Sequence, residues 1–278
     1  MGEKARLQGK VCIVTGSSGG IGKGISRLFA SEGATVIVAD VLEETGLGAV
    51  EEITSEGGKA CFCKLDVTDE TSWQSTVDHA VSTFGRLDVL VNNAGIAFAK
   101  PILDMSLQEW RRVMAVNLDG VFLGIKHAAP AMKTNEANGG SIINVSSNFI
   151  FIPNKGQAAY CASKSAVSSI TKVAAIEFSS DNIRVNTIYP GFVDTPMFDK
   201  VCAQFGKNKE ELLGFMSRSV LLGRVGKPLD IAKAALFFAS EDSEFITGAE
   251  ITVDGGEVIK RTFYDDLENL IKENADDR

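Results

Sequence analysis

Histidine and cysteine are scarce in this chain. Only His79 and His127 occur in 278 residues, and the five cysteines (Cys12, Cys61, Cys63, Cys161 and Cys202) are odd in number and lack framework spacing. With neither thiols nor imidazoles clustered, no ligand set for a catalytic zinc is present, and no metal is expected. Cys61 and Cys63 alternate along an apparent strand and read as half-buried small apolar groups. The two histidines fall inside apparent helices and read as structural. Basic residues are outnumbered, 28 against 36 acidic, and the net charge of −8 argues against a nucleic-acid surface. No run approaches the roughly 18 apolar residues of a membrane span, and Met1–Lys10 lacks the apolar core of a signal peptide. The expectation is a cytoplasmic protein acting on a small molecule, with no membrane or nucleic-acid partner.

What the chain does have is rhythm. Short β-branched runs at Val11–Val14, Thr35–Ala39, Lys59–Leu65, Leu87–Val91, Ser141–Val145, Arg184–Ile188 and Glu250–Val253 alternate with longer amphipathic stretches. Those stretches are Ile21–Ser31, Glu43–Glu56, Glu70–Phe84, Leu107–Met132, Ala158–Phe178 and Asp230–Ala239. Strands apolar almost throughout belong in a parallel sheet covered on both sides. The alternation predicts an α/β fold, a single Rossmann-type doubly wound sheet of seven parallel strands with helices on both faces. No linker or repeat interrupts residues 1–256. Residues from about 192 to 222 carry Met197, Phe198, Phe205, Leu212, Leu213, Phe215 and Met216, too apolar for a bare loop, and read as a short helical lid. Residues 257–278 form a charged extension. Its Val258, Ile259, Phe263, Tyr264, Leu267, Leu270 and Ile271 recur at near-helical spacing, as expected of a segment packed on a neighbouring subunit.

The first strand runs into Thr15-Gly16-Ser17-Ser18-Gly19-Gly20-Ile21-Gly22 and then a helix. Glycines there allow a tight turn and close backbone approach to a pyrophosphate, while the helix start offers free N–H groups and a positive dipole end. Gly16, Ser18, Gly20, Ile21 and Gly22 are therefore candidate coenzyme contacts. The second strand ends at Asp40, about twenty residues on, where a carboxylate accepts hydrogen bonds from the adenosine ribose. No basic residue lies in the glycine run or directly after Asp40 to receive a 2′-phosphate, so NAD is preferred to NADP. Tyr160 and Lys164 stand one helical turn apart. The ammonium, together with a positive nicotinamide ring, would favour the phenolate and make Tyr160 a usable acid/base.

These features recur with others in a fixed order: Asp66-Val67, Asn92-Asn93-Ala94-Gly95, Asn117, Ser146-Ser147, Tyr160…Lys164 and Pro190-Gly191…Thr195. From about residue 7 to 256 the chain resembles the short-chain dehydrogenase/reductase superfamily. That resemblance implies Tyr160 as general acid/base, and Lys164 as ribose ligand and modulator of the tyrosine. Ser147, thirteen residues before Tyr160, would hold the substrate oxygen, and Asn117 would hold a water leading to solvent. It further implies Asp66 and Val67 at adenine, Asn93, Ala94 and Gly95 along the coenzyme channel, and Pro190, Gly191, Val193 and Thr195 at the nicotinamide carboxamide. The segments Leu221–Arg224, Phe245–Gly248 and Val253–Gly256 look like those of NAD-dependent secondary alcohol and hydroxysteroid dehydrogenases, including cyclopentanol dehydrogenase. The family is usually dimeric or tetrameric, which implies a homo-oligomer, with a tetramer favoured.

The substrate side, bounded by Phe149, Ile150, Ile152, Pro153, Gln157, Phe192, Met197 and the lid, is mostly apolar. It has no arginine for a carboxylate or phosphate, which points to a neutral cyclic or hydrophobic secondary alcohol and its ketone. Two other readings remain. An NADPH-dependent 3-oxoacyl reductase would want a basic group where Gly19 and Asp40 stand. A non-catalytic nucleotide-binding sensor would need no Asn117/Ser147/Tyr160/Lys164 set.

Overall fold

The computed structural model describes residues 5–135, 139–196, 198, 199 and 208–260. Met197, Cys202, Phe205 and the tail residues Phe263, Tyr264, Leu267, Leu270 and Ile271 lie outside that set. The strands are β1 Val11–Thr15, β2 Thr35–Asp40, β3 Lys59–Lys64, β4 Val89–Asn92, β5 Gly140–Val145, β6 Ile183–Pro190 and β7 Glu250–Val253. The helices are α1 Gly20–Ser31, α2 Glu43–Ser55, α3 Glu70–Phe84, α4 Leu107–Met114, α5 Gly120–Lys133, α6 Ala158–Glu177, α7 Lys209–Ser217 and α8 Pro228–Ala239. All strand pairs are parallel, in the order β3-β2-β1-β4-β5-β6-β7. This is the expected doubly wound seven-stranded sheet.

Strand pleating sorts the core into two layers, since successive side chains point to opposite faces. Cys12, Val14, Val36 and Val38 pack with Phe29 of α1, Ile53 of α2 and Leu236 of α8. Val11, Ile13 and Ile37 pack on the other face with Trp73 of α3, Ile125 of α5 and Val167 of α6.

Two departures from the expected boundaries have visible causes. β4 begins at Val89, not Leu87, because both backbone groups of Leu87 are taken by the Asn135 side chain: Leu87 N–H donates to Asn135 Oδ1 (3.3 Å) and Asn135 Nδ2 donates to the Leu87 carbonyl (2.7 Å). The helix expected as Leu107–Met132 is interrupted by a π-helical turn, Ala115–Asp119, between α4 and α5. Such a turn inserts a residue into the helical ladder and shifts the turns downstream of it; it is common at functional sites. The residue it displaces inward is Asn117, fully buried.

Trp73 is the largest fully buried side chain, and its indole Nε1 donates to the Val67 carbonyl at 3.0 Å. Trp73→Ala should lower stability by about 3–5 kcal/mol. Chemical denaturation would show this as a fall in midpoint at unchanged slope.

Candidate active site

The candidate residues gather at the carboxyl ends of the strands, where doubly wound sheets bind ligands. β1 hands over to Gly16, which takes a φ of 63° and lies so close to Ala94 that a Cβ would stand 2.8 Å from its Cα. A Cβ on Gly22, in the first turn of α1, would collide with the Gly16 carbonyl. The turn is braced from β4. The Thr15 hydroxyl donates to Val91 O (3.3 Å) and accepts from the N–H groups of Asn93 and Ala94 (both 3.0 Å). Asn93 Nδ2 donates to the Thr15 and Gly16 carbonyls at 2.8 and 3.1 Å. Its amide thus holds the glycine turn in place. Thr15, the other half of the brace, carried no role in the sequence reading.

Asp40 is nearly buried at the end of β2. Its Oδ2 accepts from the Ser18 N–H (3.0 Å) and hydroxyl (2.7 Å), and its Oδ1 accepts from the Leu42 N–H (3.1 Å). The carboxylate is therefore tied to the glycine turn. Its register partner on β3 is Lys64, whose ammonium turns to Glu43 at 3.5 Å. Asp66 is exposed and accepts from the Thr68 N–H and hydroxyl (2.9 and 2.8 Å), while Val67 is buried. Across the turn, a Cβ on Gly20 would touch the Thr195 side chain at 3.4 Å. The segment after β6 runs alongside: Gly191 N–H donates to Val253 O (3.1 Å), and Val193 bridges to Gly226. A glycine-rich turn at the start of α1, closely packed at Gly16 and Gly22 and with a carboxylate beside it, fits a dinucleotide.

Tyr160 and Lys164 share one face of α6, with Lys164 Nζ 6.0 Å from the phenol ring centre. Lys164 is only 3% exposed, and its Nζ donates to the Val145 carbonyl at 2.7 Å. Burial lowers its pKa to about 8. Ser147 accepts from the Phe149 N–H (3.2 Å) and shares a hydrogen bond with the Tyr160 phenol. Burial pushes that phenol above its ordinary value, and the Ser147 bond pulls it back. The lowering suggested by the Tyr–Lys spacing does not come from the protein groups alone, because desolvation dominates both side chains. Asn117 Oδ1 accepts from the Ile96 N–H (2.8 Å), and its Nδ2 donates to Ile96 O (3.0 Å) and Ser163 Oγ (3.1 Å). Between them lies Gly95, where a Cβ would stand 3.4 Å from both Asn117 Oδ1 and Lys164 Nζ. Asn117, Ser147, Tyr160, Lys164 and Gly95 thus form one cluster. Ser146 points elsewhere, donating to the Lys164 carbonyl at 2.8 Å.

Phe149 sets its ring edge-on to Tyr160 (6.1 Å) and Phe192 (5.8 Å). A cavity of about 370 Å³ opens between Pro101–Leu103 and residues 153–158 with Cys161; Asn154, Lys155 and Gln157 are among its lining, and none of Ser147, Phe149, Tyr160 or Phe192 is. The Pro101–Leu103 wall was missed, although an apolar triplet directly follows the Asn92–Gly95 motif. Glu257 was missed too. Buried, it accepts at Oε2 from Asn148 Nδ2 (2.9 Å) and the Phe192 N–H (3.3 Å), and burial raises its pKa. It ties the residue after Ser147 to the residue after Gly191.

A family model described as Enoyl-(Acyl carrier protein) reductase matches residues 16–257. The crystal structure of a short-chain type dehydrogenase/reductase from Mycobacterium marinum matches with a TM-score of 0.85 at 34% identity, covering 93% of this chain and 99% of that one. The chain belongs to the short-chain dehydrogenase/reductase family. Among its relatives are the 2,5-dichloro-2,5-cyclohexadiene-1,4-diol dehydrogenase LinX of Sphingobium indicum, 41% identical (90% of this chain, 97% of that one), and the cyclopentanol dehydrogenase of Comamonas testosteroni, 43% identical (90% and 98%). At 43% identity stands the 3-oxoacyl-(acyl-carrier-protein) reductase of Thermotoga maritima (91% and 100%). As a member of this family the protein is an oxidoreductase of alcohol and ketone groups that uses a nicotinamide coenzyme. Among the described residues no group of side chains could hold a metal ion, and no helix is long and apolar enough to cross a membrane.

The buried lysine of this short-chain dehydrogenase/reductase should be a burden on stability. Lowering its pKa from 10.5 to about 8 corresponds to roughly 3 kcal/mol. Lys164→Met removes that burden but leaves the Val145 carbonyl without a donor, which costs about 1–2 kcal/mol. A net gain of about 1–2 kcal/mol is expected at neutral pH. It should shrink as pH rises from about 8 to 10.5, where the folded wild type has shed the proton that its unfolded chain still holds. Denaturation midpoints of both proteins at about pH 7 and about pH 10 check the sign.

Proposed function

We propose that the protein interconverts a neutral, mostly apolar secondary alcohol, of cyclic-alcohol or hydroxysteroid type, and its ketone, using NAD(H). The observation that carries this reading is the Ser147–Tyr160–Lys164 cluster set against a glycine turn that ends on the Asp40 carboxylate. The nicotinamide, when bound, accepts or supplies the hydride. Tyr160 moves the hydroxyl proton, Ser147 holds the substrate oxygen, Lys164 bonds the ribose and favours the phenolate, and Asn117 holds a water leading from Lys164 to solvent. Gly16, Ser18, Gly20, Ile21 and Gly22 cradle the pyrophosphate, and Asp66 and Val67 take the adenine. Asn93, Ala94 and Gly95 line the channel, while Pro190, Gly191, Val193 and Thr195 hold the carboxamide. Phe149 and Gln157 border the substrate. The Phe149 and Phe192 rings beside Tyr160 support a mostly apolar substrate, as do relatives named for ring alcohols.

The second reading is an NADPH-dependent 3-oxoacyl reductase, favoured by the relative of that name. Asp40 weighs against it, and Lys64, engaged with Glu43, is the basic residue nearest that end in register. In our reading residues 1–256 are the catalytic unit, with a lid at about 192–222, in a cytoplasmic homotetramer. Exposed Phe122 on α5 and Val173 and Ile176 on α6 supply apolar surface for subunit contact.

A panel of cyclic secondary alcohols with NAD, followed by NADH formation, tests the activity. Tyr160→Phe should lower turnover by about two to four decades while leaving NADH affinity nearly unchanged. Retention of more than about a tenth of wild-type turnover, with chemistry rate-limiting, would move the proton role elsewhere.

For the coenzyme, two like unit charges at about 4 Å repel by roughly 4 kcal/mol at an effective dielectric of 20, less where water enters. NAD should therefore exceed NADP in kcat/KM by at least about a hundredfold. Asp40→Ser combined with Val41→Arg should narrow or invert that ratio. Equal kcat/KM for the two coenzymes in the unmodified protein would overturn the NAD assignment.

A further inference from the structure

β3 is an edge strand of the sheet, and reading Cys61 and Cys63 as small apolar strand residues leaves out what faces them. Two residues apart, they share a face. They lie half-buried against the α3 layer, while Ala60 and Phe62 turn to the opposite layer. Ile37 and Ala39, their register partners on β2, are apolar. From α3 comes His79, with Nε2 3.9 Å from Cys61 Sγ, within hydrogen-bond range for sulfur. The imidazole is held in that direction. Thr83, one turn on, places its hydroxyl 3.3 Å from His79 Nδ1, and the Phe84 ring stands edge-on at 6.1 Å. A hydroxyl serves Nδ1 as donor or acceptor, so Nε2 can present its N–H to Cys61 in either charge state of the ring.

The Cys63 thiol lies two residues further on the same face of β3. Against the opposing effect of burial, the neighbouring Cys63 thiol and the His79 imidazole lower the Cys61 pKa to about 6, while Cys63 is pushed up by Cys61 and by burial. The other described thiols go the opposite way: Cys12 is fully buried in the core and Cys161 is raised by burial.

We propose that Cys61 is a modification site, a thiol facing the His79 imidazole that exchanges with small-molecule disulfides and thereby weakens coenzyme binding. In the exchange, Cys61 sulfur attacks one sulfur of R–S–S–R. The Cys61–S–S–R bond forms as the R–S bond to the leaving sulfur breaks, and the leaving thiolate takes up the proton that Cys61 released. Cys61 is oxidised, and one half of the disulfide is reduced to thiol. The link to the coenzyme is the strand itself: β3 leads through Leu65, whose N–H donates to the Asp40 carbonyl at 3.1 Å, into Asp66 and Val67. An adduct wedged between β3 and α3 displaces the segment that carries the adenosine end. This coupling rests on the coenzyme reading above; the reactivity of Cys61 does not.

The test is alkylation of the intact protein with iodoacetamide from about pH 5 to about pH 9, with the rate at each cysteine read by peptide mass spectrometry. Cys61 should reach half its maximal rate near pH 6. At about pH 6 it should react at least about tenfold faster than Cys161, after allowing for the weaker nucleophilicity of a low-pKa thiolate. His79→Ala and Cys63→Ala should each move the half-rate point upward. A half-rate point at or above about 8.5, the ordinary thiol value, or a rate no faster than Cys161, would overturn the site even if a variant failed to fold.

For the coupling, the protein is converted to the mixed disulfide with hydroxyethyl disulfide and its NADH affinity measured. The affinity should fall at least about threefold and recover on reduction with dithiothreitol. An unchanged affinity in protein shown by mass to carry the adduct would overturn the coupling. Failure of the unmodified protein to bind NADH would instead count against the coenzyme reading.

Discussion

A lysine ammonium with almost no access to water is held at the end of β5 by one backbone carbonyl, and the candidate site is built around that bond. A charge so placed is expensive unless its surroundings are fixed. α6 is fixed accordingly, at adjacent residues: Asn117 bonds the Ser163 hydroxyl, Ser146 bonds the Lys164 carbonyl, and Val145 receives the ammonium. Each tether comes from a different place. Asn117 reaches α6 because the π turn displaces it inward, and Ser146 and Val145 arrive because β5 ends there. Gly95 closes the other side, where a Cβ would already touch both Asn117 Oδ1 and Lys164 Nζ at 3.4 Å. Tyr160 needs no separate placement. With Lys164 pinned, the residue one turn earlier on the same helix is set against Ser147.

The same burial acts on both members of the pair in opposite senses, raising the phenol and lowering the ammonium. Both shifts favour the uncharged forms, so the protein by itself leaves the pair short of a phenolate–ammonium arrangement. Ser147 offsets part of the cost at the phenol through its hydrogen bond. Under the proposed reading, positive charge arriving on the coenzyme side would favour the phenolate further. Acid/base competence and coenzyme occupancy would then be linked through one desolvated environment.

Much of this was legible in the residues because it rests on local chemistry. The glycine turn, Asp40 at a strand end, and Tyr160 one turn before Lys164 are each short patterns with a single geometric meaning. Strand and helix limits followed from periodicity to within two residues at most ends. Features that depend on tertiary partners were not legible. Nothing in Leu107–Met132 marks a π turn, because its helical spacing is unbroken and the extra residue is stabilised only by what Asn117 finds at Ile96 and Ser163. Leu87 reads as strand and loses its place in the ladder to Asn135, 48 residues away. Glu257 reads as the start of a charged tail, yet folds back to join Asn148 and Phe192, 109 and 65 residues distant.

Glu257 also shows why the reaction class and the substrate are encoded so differently. The residues that would handle coenzyme and proton sit on strand ends, a π turn and α6, elements whose positions the sheet imposes. The walls of the cavity come instead from Pro101–Leu103 and the segment before α6, joined where the Lys100 N–H donates to the Gly156 carbonyl at 2.8 Å. These connections contribute little to either core layer, so they can change without disturbing the cluster. Relatives 41–43% identical over nearly their whole length, named for a chlorinated ring diol, cyclopentanol and a 3-oxoacyl thioester carrier, fit that division. A buried carboxylate that clamps the Ser147 turn to the Pro190–Thr195 segment keeps the chemical end rigid while the walls vary. Its desolvation is the cost of holding two loops together without a strand or helix to do so.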